Sequence, residues 1–396
     1  MSNIRFFVGL TILLFGTSVA AAQSDCNPCE PVCSPCEPLC SSGGLFQVPF
    51  TFDGWVDMGF YTNAHGFNNN GPMYTSSKRR TDFIMNQLYL SFEKEMDTRR
   101  GFDWGARTDF VYGAHTGSMQ TFGDETFDYG WGANEHGYQM SAYKVYGTLG
   151  YKDLSVKVGK FGTPVGWEAS ASKDNFFYSH SYCYWIEPAT HMGVLADYAM
   201  TDRLTVSAGW VTGEDCSFAN PHGNKAVLTG FEYALADNAT IYYWFHGGEQ
   251  RADRMNPWSD YFVQSLCLEW TPTKRFTYVF QYNLRNDNLR GGARTSAYGI
   301  NNHFLYKLND QWSVGTRFEW LRDNGAWVHA DPADYYQITL GLNWNPYTNV
   351  SIRPEVRYDW SDGSKPFGPS DVFGGYPTMD RHSYQVSGGC GVVVTF

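Results

Sequence analysis

The chain is poor in charge. Of its 396 residues only 17% are Asp, Glu, Lys or Arg, where an average domain carries about 25%. It also lacks long apolar runs. Beyond the N-terminal 22 residues nothing approaches the ~20 apolar residues of a spanning helix, and the mean hydropathy is −0.40. Spanning by helices is excluded; spanning by strands is not. A basic balance is absent too: 29 Lys+Arg stand against 40 Asp+Glu, a net charge of −11. That argues against a nucleic-acid partner. Catalytic signatures are missing as well. The ten His are scattered, and none lies in a G-x-S-x-G or H-E-x-x-H setting. Ser179, His180 and Ser181 are consecutive, and neighbours on an extended chain point opposite ways. They are not a nucleophile–base pair, so no enzyme, no metal and no cofactor is expected.

Aromatic residues and glycine are abundant: 17% of the chain is Phe, Trp or Tyr, and 41 residues are Gly. Two terminal features give this composition a compartment. Arg5 precedes an apolar stretch from Phe6 to Phe15, followed by small residues in "SVAAAQ". Residues 1–22 therefore read as a secretory signal peptide cleaved after Ala22. At the other end, "SYQVSGGCGVVVTF" alternates to the last residue, Phe396. An unprotected edge invites aggregation, whereas a closed membrane barrel has no edge. A terminal Phe also resembles the insertion signal read by the machinery that places barrels in outer-membrane lipid.

Residues 23–48 form a separate arm. "CNPCEPVCSPCEPLC" holds Cys26, Cys29, Cys33, Cys36 and Cys40, five of the nine cysteines. Proline at this density forbids helix and sheet. The spacing would suit zinc, but intervening prolines and an oxidising envelope favour disulfides; an inert arm is the remaining alternative. Five is odd, which leaves a thiol for a disulfide-linked envelope partner.

From residue 49 the pattern is alternation. Sixteen segments, the first near 50–61 and the last near 381–396, mostly run 9–14 residues. Tilted membrane strands need ~9–11, and soluble strands average ~5–6. Connections alternate strictly between short ones, such as "KD" at 152–153, and long ones, such as 163–189. The expected fold is an all-β, transmembrane, up-and-down antiparallel barrel of about sixteen strands over residues 49–396. Both termini are expected on the periplasmic side.

The polar parity identifies candidate pore-lining residues: Asp53, Asp57, Glu93, Arg107, Asp109, Lys144, Lys157, Arg317, Glu319, Arg353, Glu355 and Arg357. Glu232, Glu269 and Arg285 share it. A Lys or Arg facing mid-membrane lipid costs ~2–4 kcal/mol, so these groups belong inside. They either solvate the lumen and pair with each other, or set basic and acidic walls against one another. The connection 163–189 offers Glu168, Lys173, Asp174 and Glu187 as constriction-loop residues, with an aromatic run from Phe176 to Trp185 to dock on the inner wall.

Here a resemblance enters. "VKVGKFGTPVGWE" followed by "NFFYSHSY", with "FTFDGWVDMGFYTN" and "NQLYLSFEKEMD", is similar to the OmpL-like β-barrel porin family over residues 50–396. The resemblance implies a porin-like outer-membrane channel and says nothing of the cysteine arm. The expectation is passive diffusion of small hydrophilic solutes or ions. The alternatives are a structural envelope barrel cross-linked through its arm, or a barrel enzyme. Analogy with sixteen-stranded porins leads to a homotrimer.

Overall fold

The computed structural model describes residues 50–65, 82–122, 127–134, 137–219, 223–250, 259–289, 294–325, 327–328, 332–368 and 381–396. The expected signal peptide 1–22 and the expected arm 23–48, with Cys26, Cys29, Cys33, Cys36 and Cys40, lie outside them.

Sixteen strands form: β1 (Thr51–Asn63), β2 (Ile84–Lys94), β3 (Phe102–Gly113), β4 (Gln139–Tyr151), β5 (Leu154–Gly162), β6 (Thr190–Thr201), β7 (Leu204–Val211) and β8 (Lys225–Ala236) make the first half. The second half is β9 (Ala239–Gln250), β10 (Ser259–Thr273), β11 (Phe276–Leu289), β12 (Arg294–Lys307), β13 (Trp312–Asp323), β14 (Ala333–Tyr347), β15 (Val350–Asp362) and β16 (Tyr384–Thr395). Each pairs antiparallel with its sequence neighbours, and β16 pairs with β1 to close the barrel. At the seam Phe396 N donates to Gly54 O at 2.9 Å and Gly54 N donates to Phe396 O at 3.0 Å. No backbone edge is left open there, which is what a strand in hydrocarbon requires.

Alternation explains the two faces. Outward-facing Leu266, Leu340 and Val356 are exposed in the middle of their strands. Trp104, Tyr151, Trp270, Tyr347 and Phe396 are exposed toward the short-turn end, and Phe60, Trp210 and Tyr384 toward the long-connection end. An aliphatic band between aromatic belts is the profile of a surface solvated by lipid.

Within the barrel wall, away from the register shifts at the short turns, two bulges break the strict period. The β3–β4 register shifts between Asp109 and Phe110, so Tyr143 is an extra residue beside Lys144, which pairs with Asp109. The β1–β2 register shifts between Asp57 and Met58, which makes Asn86 extra beside Gln87. A bulge bends the strand and re-aims side chains. Both Asn86 and Gln87 are fully buried as a result.

Candidate functional site: a loop anchored across the lumen

The connection between β5 and β6, residues 163–189, enters the barrel. It contains a single 3-10 turn, Ser172–Asp174, and one short helix, α1 (Tyr182–Trp185). Ser181 caps α1, its Oγ accepting from Tyr184 N at 3.2 Å. The loop is tied down by β2, by β13–β15 and by β11.

The first anchor is the β2 bulge. Gln87 Nε2 donates to Ser170 O at 2.7 Å, Ser172 N donates to Gln87 Oε1 at 3.0 Å, and Asn86 Nδ2 donates to Tyr178 Oη at 2.9 Å. The second anchor is the inner face of β13–β15. Glu355 accepts from Tyr178 N at 2.8 Å and Ser179 N at 3.2 Å, and also from Tyr61 Oη. Glu319 accepts from Tyr182 N at 2.7 Å and Cys183 N at 2.6 Å, satisfying the free donors that open α1. The arginines take the loop carbonyls. Arg317 donates to Ser179 O at 2.7 Å, Arg353 to Ser172 O at 2.6 Å and Asn175 O at 2.9 Å, and Arg357 to His180 O at 2.6 Å. Such charge-assisted bonds are roughly twice as strong as neutral ones.

Glycines make room for the aromatic run. A Cβ at Gly341 would come within 2.9 Å of the Phe177 ring, and one at Gly391 within 2.5 Å of the Tyr178 ring. Flat spots on the inner wall thus seat loop rings that any larger residue would displace.

The carboxylates of the loop are part of the same clamp. Glu168 accepts from Arg317 Nη1 at 2.6 Å and from Ser181 N at 2.7 Å. Burial opposes its charge, but Arg317 and the neighbouring donors hold its carboxyl down to about 2. Among the described residues no cation pairs with Glu187. Burial pushes its carboxyl well above the usual range, and Gln281 and Asn283 donate to it. Arg285 closes the outer side of this contact, donating to Ile186 O at 3.2 Å and to Glu214 at 2.6 Å, with its guanidinium 3.8 Å from the Trp327 ring.

The sequence candidates therefore separate into two groups. Asp57, Arg317, Glu319, Arg353, Glu355 and Arg357 face inward but are buried against the loop. Asp57 meets Arg353 at 3.5 Å. The other group lies on the wall from β1 to β5. Asp53 is exposed, and Glu93, Arg107, Lys144 and Lys157 are half-buried. Arg107 donates to Glu93 at 2.8 Å and to Asp109 at 2.9 Å, and Lys144 lies 3.5 Å from Asp109. β1 and β2 adjoin β3–β5, so these acidic and basic side chains pair along one wall and do not oppose each other across the lumen. From the loop, Lys173 sits 4.7 Å over the Trp55 ring and 3.9 Å from Asp174. Further around the same wall Glu232 on β8 shares its parity with buried Leu228, yet is exposed to solvent.

Sequence reasoning missed the neutral anchors Asn86, Gln87, Gln281 and Asn283. The inward run of amides on β11 was a usable signal; the bulge that turns Asn86 inward was not. It also missed Lys160, which alternation assigns to the outer face. Lys160 instead is buried in an ion pair with Asp128, at 2.6 Å, and donates to Met119 O.

Comparison with known proteins follows this geometry. The barrel resembles an anion-selective porin from Comamonas acidovorans, with a TM-score of 0.58 and 11% identity over 88% of this chain and 99% of that one. It resembles the trimer form of OmpT, an outer membrane protein of Vibrio cholerae, with a TM-score of 0.57 and 11% identity over 88% and 99% of the two chains. At that identity the likeness is one of fold. No curated protein matches the chain in sequence. Residues 49–396 match the family described as "Putative beta-barrel porin-2, OmpL-like". The chain belongs to this family of porin-type outer-membrane barrels.

Proposed function

We infer that the protein is a passive diffusion channel for small hydrophilic solutes or ions across the outer membrane. The observation that carries this reading is the unequal hydration of the inner face. Loop 163–189 packs against the buried inward side chains of β11 to β15, while Asp53 and Glu232 project inward and remain exposed to water. A barrel whose only role was structural would gain nothing from unpaired carboxylates inside it. The narrowed, hydrated arc is bounded by charged side chains of both signs, which suits selection by size and charge. The termini face the periplasm in this reading, as an even strand number with short turns on that side requires. The trimer form of the Vibrio cholerae relative supports a homotrimer.

Purified protein in planar bilayers should give stepwise, ohmic conductance increments. A folded barrel with no increments at any voltage would sink the reading.

A further inference from the structure

The inner wall of β8–β10 carries a second constellation, reached from the loop by Trp167. Glu232 on β8 pairs in register with Tyr242 on β9, and Tyr242 pairs with Cys267 on β10. Glu269 lies two residues along β10 on the same face, and the Trp167 indole of the loop donates to it at 3.2 Å. Trp244 stands two residues from Tyr242 on that face, with Gly230 and Ser265 as its register partners. A Cβ at Gly230 would come within 2.5 Å of the indole, so the glycine leaves the ring room to lean along the wall. Trp167, Tyr242 and Trp244 are all half-exposed, and Glu232 is open to solvent. Among the described residues no Lys, Arg or His lies within ion-pair distance of Glu232 or Glu269.

Three half-exposed rings beside two carboxylates that lack a counter-ion are complementary to a positive, weakly hydrated group. We propose that this patch is a subsite for a small organic ammonium ion. The rings present their negative faces to the cation, and the carboxylates neutralise it. A neutral sugar would also stack on the rings but would leave both carboxylates uncompensated. A metal cation would be neutralised but would make no use of the rings. An anion would be repelled, although the basic residues Arg107, Lys144 and Lys157 on β3–β5 would tolerate it elsewhere in the lumen.

The proposal rests on the channel reading, and the experiment separates the two. Choline is titrated into folded full-length protein in potassium chloride, with glucose as the neutral control. Single-channel current in bilayers and calorimetric binding in detergent are both recorded. Choline should reduce the current in a saturable way and glucose should not. Glu232→Gln and Trp244→Leu should each raise the half-blocking concentration about tenfold, the worth of one cation–π face or one charge at such a site. Glu232 is exposed and its replacement leaves the fold intact, so that variant decides the matter if Trp244→Leu does not fold. A conducting barrel that glucose and choline affect equally, or whose choline block survives Glu232→Gln, overturns the subsite. A barrel that binds choline calorimetrically but carries no current overturns the diffusion reading and keeps the subsite.

Discussion

The wall of β13–β15 and the wall of β1–β5 are built from the same kinds of residue at the same period. Both alternate charged inward positions with apolar outward ones. Their charges nonetheless do opposite things. Arg317, Glu319 and Arg357 have no exposed surface, and every one holds main-chain groups of the loop 163–189. Arg107, Glu93 and Lys144 pair with one another and with Asp109, and keep a fifth to a quarter of their side chains in water. The difference lies in what stands opposite each wall. A charge facing a loop backbone loses its water and gains N–H or C=O partners in exchange; a charge facing open lumen keeps its water. Inward parity is thus necessary for lining a pore and far from sufficient.

The sharpest way to break this comparison is to truncate one cation on each wall. Arg317→Met removes the partner of buried Glu168 and three further bonds to Ser179 and His180. Leaving a buried charge unpaired costs about 3–5 kcal/mol. The closed barrel hydrogen bonding does not depend on this residue, so the cost should fall on the loop. Cys183, fully buried in the wild type, should then react with a small maleimide, mapped by mass spectrometry of the labelled peptide. Arg107→Met should leave Cys183 unreactive, because Asp109 keeps Lys144 and the hydroxyls of Tyr89 and Ser91. Labelling of Cys183 in both variants, or in neither, would remove the distinction between the walls.

This distinction marks how far the sequence could be read. Strand number, strand limits within a few residues, closure of β16 on β1 and the two faces all follow from periodicity, because lipid penalises every misplaced charge. Which inward residues stay wet does not follow, because it depends on which strands the 27-residue loop docks against, and its aromatic run does not specify them. Asn86 is the clearest case. Its burial requires the β1–β2 bulge, a register event between strands some thirty residues apart. Lys160 is another: alternation assigns it to lipid, and only the Asp128 carboxylate from a distant connection explains its burial. Glycines 341 and 391 look like generic barrel glycines until the rings of Phe177 and Tyr178 are seen above them.

Acid should act on the anchored wall through Glu168. Glu168 is held at about 2 in the folded loop, against an ordinary value of 4.5. A depressed carboxyl contributes its stabilisation above the ordinary value and loses it as pH falls toward the folded one. Between pH 4.5 and pH 2 the loop should therefore lose on the order of 3 kcal/mol. Glu187 runs the other way: its carboxyl is raised by burial, so its burial is costless in acid and increasingly unfavourable as pH rises. Open-channel current noise recorded from pH 6 down to pH 3 should rise in the acid range. Glu168→Gln should be noisy throughout and lose that pH dependence. A wild-type trace as quiet at pH 3 as at pH 6 would mean that the Glu168–Arg317 pair does not hold the loop.

The smallest effect is expected on the hydrated wall. Lys157 faces inward, and its ammonium lies 5.2 Å from the Tyr146 ring and 5.4 Å from the Phe161 ring. It makes no bond to the loop's main chain. Lys157 is half-buried but forms no ion pair among the described residues, so Lys157→Gln should change thermal stability by about 1 kcal/mol or less. Its signature should be electrical: the reversal potential across a potassium chloride gradient should move toward potassium, because a fixed positive charge beside the hydrated arc has been removed. Raising the salt should shrink that shift, since the group is screened by lumenal water. The same measurement on Arg357→Gln, whose charge is sealed between Asp359 and the loop, should instead be dominated by a loosened loop, with raised conductance and noise. If Lys157→Gln and Arg357→Gln move the reversal potential alike and leave the noise alone, the two walls are electrically equivalent, and burial against the loop does not decide which charges the permeating ion feels.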